Sequence, residues 1–150
     1  MIRRQFLRLF APAKKVEVWL FLAPDCPIAN RYIPTLNRLA AEFQPQGVSF
    51  QVVLASQPPV DWRRSYALEL PVLIDKTGRL RQKAHASRSP EAVVWSNGTL
   101  AYRGRIDDRY AAWGKERPSP TRQDLREAIT LALAGRPTPT PWPRPIGCYL

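Results

Sequence analysis

The residues of this chain best suited to chemistry are two cysteines, Cys26 and Cys148, and one histidine, His85. Cysteines 122 positions apart do not form a local metal-binding pair, and His85 is the one histidine available beside them, so a zinc site of three or four Cys and His ligands is not expected. We therefore expect neither a metal nor a cofactor. Three arrangements of the thiols remain open: a long-range disulfide, two unrelated thiols, or a reactive thiol with a distant partner.

Cys26 has the sequence context of a reactive thiol. It lies between an apolar run at 16–22, which predicts a buried strand, and Pro27, which suits the first turn of a helix. Free N–H groups and the dipole at a helix start favour the thiolate, the nucleophilic form of cysteine. Asp25 acts in the opposite direction, because a nearby negative charge raises the pKa of a thiol. We predict a reactive thiol here, with a buried inert cysteine as the alternative.

Strand and helix patterns alternate along the elements that must position Cys26. After the strand at 16–22, apolar residues with a period near 3.6 predict a helix from Pro27 to about 44, which Pro34 should kink. Asn97-Gly98 predicts a hairpin, and Thr121 is expected to cap the last helix. The remaining predictions are strands at 48–54, 71–74, 91–95 and 99–106, and short helices at 60–68 and 80–86.

This order predicts an α/β fold. Helical connections between the first strands imply that these strands are parallel, and the late hairpin adds antiparallel strands. We therefore expect a central mixed β-sheet flanked by helices on both faces.

Charge and hydropathy limit the classes of partner. The net charge of +11 comes from 23 basic and 12 acidic residues, which are scattered rather than gathered in one run. This indicates a generally basic surface, and a nucleic-acid partner is not expected. No stretch approaches the ~18 apolar residues of a membrane span. The basic N-terminal segment 1–15 is a poor signal peptide, because Arg8 interrupts its apolar part, and we predict a cytoplasmic location.

The C-terminal tail, residues 136–150, is rich in proline and carries Cys148. Alternating prolines favour an extended chain of about 3.1 Å per residue. Such a tail is long enough to bring Cys148 to Cys26 of its own chain or of a neighbour, which leaves a homodimer open. The alternative is a floppy terminus with an incidental thiol.

Three other groups are weaker candidates. His85 could act as a base, but we expect it to be exposed. Asp107 and Asp108, with nearby arginines, could shape a pocket, although we expect a solvated ion-pair cluster. Trp113 and Trp142 fall on loops, where they could line a groove or pack the tail down.

The segment from Phe21 to Pro34 resembles the active-site stretch of the thioredoxin-like superfamily, and is closest to its redoxin branch of peroxiredoxin-like and thiol-disulfide isomerase-like proteins. Ser89-Pro90-Glu91-Ala92 is similar to the cis-proline turn that faces the active-site cysteine in this fold. The resemblance covers about 16–148. It implies a thioredoxin-like domain at 16–135, followed by the tail, and a cis bond before Pro90.

The resemblance implies a thiol-dependent, antioxidant oxidoreductase, with two departures. Ala29 stands where thioredoxins have a second cysteine, which excludes a local dithiol exchange. Ala23 stands where peroxiredoxins have the threonine that helps to hold peroxide.

We expect Cys26 to attack a protein disulfide or a small peroxide, Cys148 to resolve the intermediate, and an external thiol reductant to reset the pair. Asp25, Pro27 and Pro90 are expected to shape the site. The alternatives are a binding or scaffold module without redox turnover, and a basic anion-binding protein. Relatives in this branch are often exported, so an extracytoplasmic location is the alternative to the cytoplasm.

Overall fold

Nine strands and four helices make up the described part of the chain. The structure is a computed structural model that describes residues 15–150, so the expected basic segment lies, apart from Lys15, outside the described residues. The strands are β1 Val16–Phe21, β2 Ser49–Leu54, β3 Val72–Ile74, β4 Arg88–Ser89, β5 Glu91–Ser96, β6 Thr99–Gly104, β7 Tyr110–Ala112, β8 Lys115–Glu116 and β9 Cys148–Tyr149. The helices are α1 Pro27–Phe43, α2 Trp62–Ser65, α3 Arg79–Ala84 and α4 Asp124–Leu133, and a short 3₁₀ helix, Gln44–Gln46, follows α1.

Five of the strands form a mixed sheet in the order β3-β2-β1-β5-β6. β1 is parallel to β2, with Val18 opposite Phe50, and β2 is parallel to β3. β5 runs antiparallel to β1 on its other side and forms the hairpin with β6. The predicted α/β order and mixed sheet are confirmed, and the hairpin lies inside the sheet as well as at its edge.

Helices cover both faces of this sheet. On one face, Val16, Val18 and Leu20 of β1 pack in a core that includes the apolar sides of α1 and α4. On the other face, Phe21 and its neighbours on β2 and β5 pack against α3. The alternation along β1 thus separates two cores, as the pleat of a strand requires.

The region before the last helix differs from the prediction. α4 begins at Asp124 with Gln123 at its N-cap, so the expectation that Thr121 caps the helix is wrong. Thr121 lies two residues before this N-cap, and its N–H and hydroxyl both donate to the carboxylate of Asp108, which ties Thr121 to the preceding loop. Residues 107–120 also contain the β7–β8 hairpin, where the sequence predicted only a loop.

Asp107 and Asp108 are buried, with 5% and 6% of their surface exposed, so the expected solvated ion-pair cluster is wrong. The hydroxyl of Tyr32 donates to Asp107 over 2.6 Å, and the N–H of Arg122 donates to Asp108 over 2.9 Å. The backbone hydrogen bond from Arg122, with the hydroxyl of Thr121, lowers the pKa of Asp108 to about 2. These two carboxylates organise the chain between β6 and α4.

None of the described helices is both long enough and apolar enough to cross a membrane. Within residues 15–150, His, Cys, Asp and Glu side chains do not gather in threes in a way that could hold a metal ion.

Candidate functional site

Cys26 occupies the junction between the central strand β1 and helix α1. It is the N-cap of α1, in an extended conformation, and its carbonyl accepts the N–H of Asn30 over 3.1 Å. Pro27 follows at the first helical position, where its missing N–H leaves no bond unmade. The Cys26 N–H donates to the carbonyl of Ala23 over 3.0 Å. These contacts fix the backbone of Cys26, which is only 1% exposed.

The thiol of Cys26 points at the turn before β5. Its Sγ donates to the carbonyl oxygen of Ser89 over 3.2 Å, and the N–H of Ala23 donates to the Ser89 hydroxyl over 2.7 Å. The Ser89–Pro90 peptide bond is cis, and Pro90 is buried. The turn that carries the cysteine is therefore joined to the cis-proline turn by two hydrogen bonds, both accepted by Ser89.

Cys148 lies at the same place, on the C-terminal strand. β9 pairs antiparallel with β4, and this register sets Cys148 opposite Ser89. The pairing continues where the N–H of Leu150 donates to the carbonyl of Ser87 over 3.0 Å. Both cysteines are free thiols, and the structure brings them together within one chain.

The surroundings of Cys148 oppose its ionisation. Burial, then the neighbouring Cys26 side chain, and then the charge of Asp25 raise the pKa of Cys148 to about 11. Asp25 itself is exposed in the turn before Cys26. The resting form of Cys148 at neutral pH is therefore the thiol.

The tail that delivers Cys148 lies on the domain at two close approaches. A Cβ atom at Gly147 would overlap the carbonyl oxygen of Ser89, and one at Gly104 would overlap the carbonyl oxygen of Pro143. The same Pro143 oxygen accepts the N–H of Arg105 over 3.1 Å. Only glycine fits at either point, so the tail approaches the cis-proline turn and β6 backbone to backbone.

The weaker candidates from the sequence, His85, Trp113 and Trp142, do not take part in the contact between the two cysteines and Ser89. His85 is exposed at the end of α3, as expected. Trp142 packs against Tyr102, with ring centres 6.0 Å apart, and so helps to hold the tail. Trp113 is 59% exposed beside the β7–β8 turn.

Three residues have roles in the site that their sequence context did not reveal. Ser89 accepts from both the Cys26 thiol and the Ala23 N–H, and Gly147 admits the tail. Glu91 is buried, and its Oε1 accepts the N–H groups of Ser87 and Arg88 over 2.7 and 3.1 Å. The sequence did contain a signal for Glu91. It is an acidic residue at the start of an otherwise apolar strand, and a buried carboxylate there needs hydrogen-bond donors nearby.

No family model and no curated protein matches the sequence. Solved structures do match. An uncharacterized conserved protein from Geobacillus kaustophilus is 25% identical with a TM-score of 0.70, over 90% of this chain and 76% of that one. A secreted disulfide oxidoreductase from Mycobacterium tuberculosis is 19% identical with a TM-score of 0.52, over 81% of each chain.

A third similar structure is described as a member of the thioredoxin family. A thiol:disulfide interchange protein of the thioredoxin family from Chlorobium tepidum is 16% identical with a TM-score of 0.58, over 79% of this chain and 80% of that one. The chain therefore has the thioredoxin-like fold.

Proposed function

We propose that this protein is a thiol-disulfide oxidoreductase in which Cys26 and Cys148 form the redox pair. The observation that carries the proposal is the register of β9, which sets Cys148 opposite Ser89, the residue whose carbonyl accepts the Cys26 thiol. A distant second cysteine thereby takes the place of the local one that Ala29 does not supply. Two structurally similar proteins are themselves a disulfide oxidoreductase and a thiol:disulfide interchange protein.

The exchange proceeds in two steps. The Cys26 thiolate attacks one sulfur of a substrate disulfide, which forms a mixed disulfide and releases the other substrate sulfur as a thiolate. Cys148 then gives up its proton and attacks Sγ of Cys26, which releases the second substrate thiol. The substrate disulfide gains two electrons, the two cysteines become a disulfide, and an external thiol reductant returns both to thiols.

The docked tail restrains both thiols. Cys26 is 1% exposed, and a pKa of about 11 leaves about one Cys148 in ten thousand ionised at pH 7. Attack on a bulky disulfide therefore requires β9 to leave β4. Its return after attack brings Cys148 back to Cys26 and completes the reaction. Cys26 is accordingly the attacking residue, and Cys148 the resolving one.

Disulfide exchange suits this site better than peroxide reduction. Ala23 supplies no hydroxyl to hold a peroxide, and its N–H is already bound to the Ser89 hydroxyl. We propose a protein disulfide as the partner and a small peroxide as the alternative, in which Cys26 would pass through a sulfenic acid.

The proposal is tested with Ellman's reagent, whose aromatic thiol is released and counted by absorbance. The wild-type chain should release two equivalents and keep no adduct by mass, because Cys148 displaces the aromatic thiol from Cys26. Cys148→Ser should release one equivalent and keep one adduct on Cys26. Two retained adducts on the wild-type chain would mean that the cysteines do not act together.

Turnover separates the enzyme from a binding module of the same fold. With a protein disulfide as substrate and a thiol reductant in excess, Cys26→Ser should abolish turnover. Cys148→Ser should reduce it and accumulate the mixed disulfide. Full activity in Cys26→Ser would contradict the proposal and favour a module that binds without redox chemistry.

Location and assembly remain predictions. We keep the cytoplasm as the predicted location, with an extracytoplasmic one as the alternative, since one structurally similar oxidoreductase is secreted. Non-reducing electrophoresis of the oxidised protein distinguishes a bridge within one chain, which migrates as a monomer, from a bridge between two chains of a homodimer.

A further inference from the structure

A second feature of the tail is the cavity that it borders. The cavity has a volume of about 620 Å³, within the range of small-ligand sites. One wall belongs to the domain and the other to the tail. The residues that matter here are Arg88, Arg103 and Trp113 on the domain side and Trp142 and Arg144 on the tail side.

Three arginines converge on this space without a carboxylate partner. Among the described residues, Arg88, Arg103 and Arg144 make no ion pair within 4.0 Å. The contrast is with the basic residues that do pair with carboxylates in the same part of the chain, namely Lys15, Arg31, Arg105, Arg109, Arg117, Arg122 and Arg126. The surplus positive charge of the described surface is thus partly gathered in one concave place.

The carboxylate in the cavity wall does not neutralise these arginines. Glu91 is buried, and its Oε1 already accepts two backbone N–H groups. Two of the guanidinium groups are held in place by uncharged partners. Arg103 donates to the carbonyl of Ala84 over 3.3 Å, and Arg88 lies 3.9 Å from the ring centre of Tyr149. Positioned guanidinium groups with unused N–H donors are suited to bind carboxylate or phosphate oxygens.

We propose that this cavity binds a small organic anion with at least two carboxylate or phosphate groups. Arg88, Arg103 and Arg144 supply the donors, and Trp113 and Trp142 supply an apolar wall for the carbon skeleton. Arginines from the domain and from the tail both contact the ligand, so binding favours the docked tail. Neither cysteine lines the site, although a ligand that keeps the tail docked would also keep Cys26 covered. The volume suits a small molecule rather than a nucleic-acid strand.

The experiment is isothermal titration of the reduced, full-length protein with citrate and, separately, with pyrophosphate at low ionic strength. The probe that binds with the higher affinity shows whether the site prefers carboxylate or phosphate groups. Arg144→Gln removes a tail donor and Arg103→Gln a domain donor. Arg136→Gln is the matched control, because Arg136 is an exposed arginine of the same tail that does not line the cavity.

We expect saturable binding of at least one probe to the wild-type protein. Arg144→Gln and Arg103→Gln should each weaken it about tenfold, the loss of one charge-assisted hydrogen bond, and Arg136→Gln by less than about twofold. Equal weakening by all three variants would show general attraction to a basic protein and overturn the site. Absence of saturable binding of both probes, or binding that Arg144→Gln does not weaken, would overturn it as well.

Discussion

The segments that bring Cys26 and Cys148 together are built in different ways. Cys26 follows a strand that is paired on both sides and begins a helix of 17 residues whose apolar side lies in the larger core. Cys148 lies on a strand of two residues with a single partner, after a long stretch without helix or strand. The segment that carries Cys26 can unfold only when the whole domain unfolds, whereas the segment that carries Cys148 can detach locally. A resolving thiol that must leave and return fits the second arrangement.

The first prediction concerns the segment of β1 and α1 that carries Cys26. Leu36 of α1 is completely buried, so Leu36→Ala should lower the free energy of unfolding by about 3 kcal/mol through lost burial and a residual cavity. The measurement is urea denaturation followed by circular dichroism. Leu73→Ala is the control, because Leu73 is 42% exposed and should lose less than about 1 kcal/mol. Equal losses in the two variants would mean that α1 is not part of the cooperative core.

The second prediction concerns the segment that opens. Gly147→Ala places a methyl group on the Ser89 carbonyl and should displace β9 from β4. We expect Cys26 to be alkylated about 30-fold faster, equivalent to about 2 kcal/mol of docking energy, and the free energy of unfolding to fall by no more than that amount. Peptide mapping gives the rate. Pro139→Ala, at an exposed position of the same tail, should leave the rate unchanged, and an unaltered rate in Gly147→Ala would refute the local opening.

The third prediction uses pH to loosen the tail. The pKa of Cys148 is raised from about 9 to about 11 when the tail is docked, mainly by burial. The docking energy that this thiol contributes is therefore complete below pH 9 and is lost as the pH rises through 11. The opening equilibrium should increase about tenfold between pH 8 and pH 10.

Comparison with Cys148→Ser isolates this effect. Cys26 alkylation in the wild-type chain should rise more steeply with pH than in the variant, which lacks the titrating thiol. Parallel pH profiles would show that Cys148 is not buried against Cys26 in solution.

The fourth prediction, and the smallest, concerns Tyr149. Its ring is 77% exposed and lies against the Arg88 guanidinium, an interaction worth about 0.5–1 kcal/mol at an exposed site. Tyr149→Ala should accelerate Cys26 alkylation about threefold. Tyr66→Ala removes another partly exposed ring and should have no effect. Acceleration by both variants would assign the effect to general destabilisation.

The two segments also differ in how far their sequences predict their structures. The strand before Cys26 and the helix after it follow from a buried apolar run, Pro27 and a regular 3.6-residue period, all of which are local signals. The mixed sheet follows from the order of such elements. The prolines of the tail indicated an extended chain, but no periodic pattern showed where it would lie.

Two parts of the site depended on contacts that no local pattern encodes. The docking of the tail requires Gly104 and Gly147 to meet particular carbonyl groups, which is visible only in three dimensions. Thr121 has the residue type of a helix cap, but its hydrogen bonds to the buried carboxylate of Asp108 hold it two residues before the N-cap of α4. Short-range propensity does not register a contact between residues 13 positions apart.

The two glycine contacts have a consequence for inherited variation. Neither position tolerates a side chain while the tail is docked, but only Gly147 lies in the tail, whereas Gly104 ends β6 of the central sheet. A substitution at Gly147 would therefore yield a chain that keeps its sheet and helices and that has lost control over when its reactive sulfur meets solvent. A screen that detects only loss of the fold would pass such an allele, and a redox phenotype would reveal it.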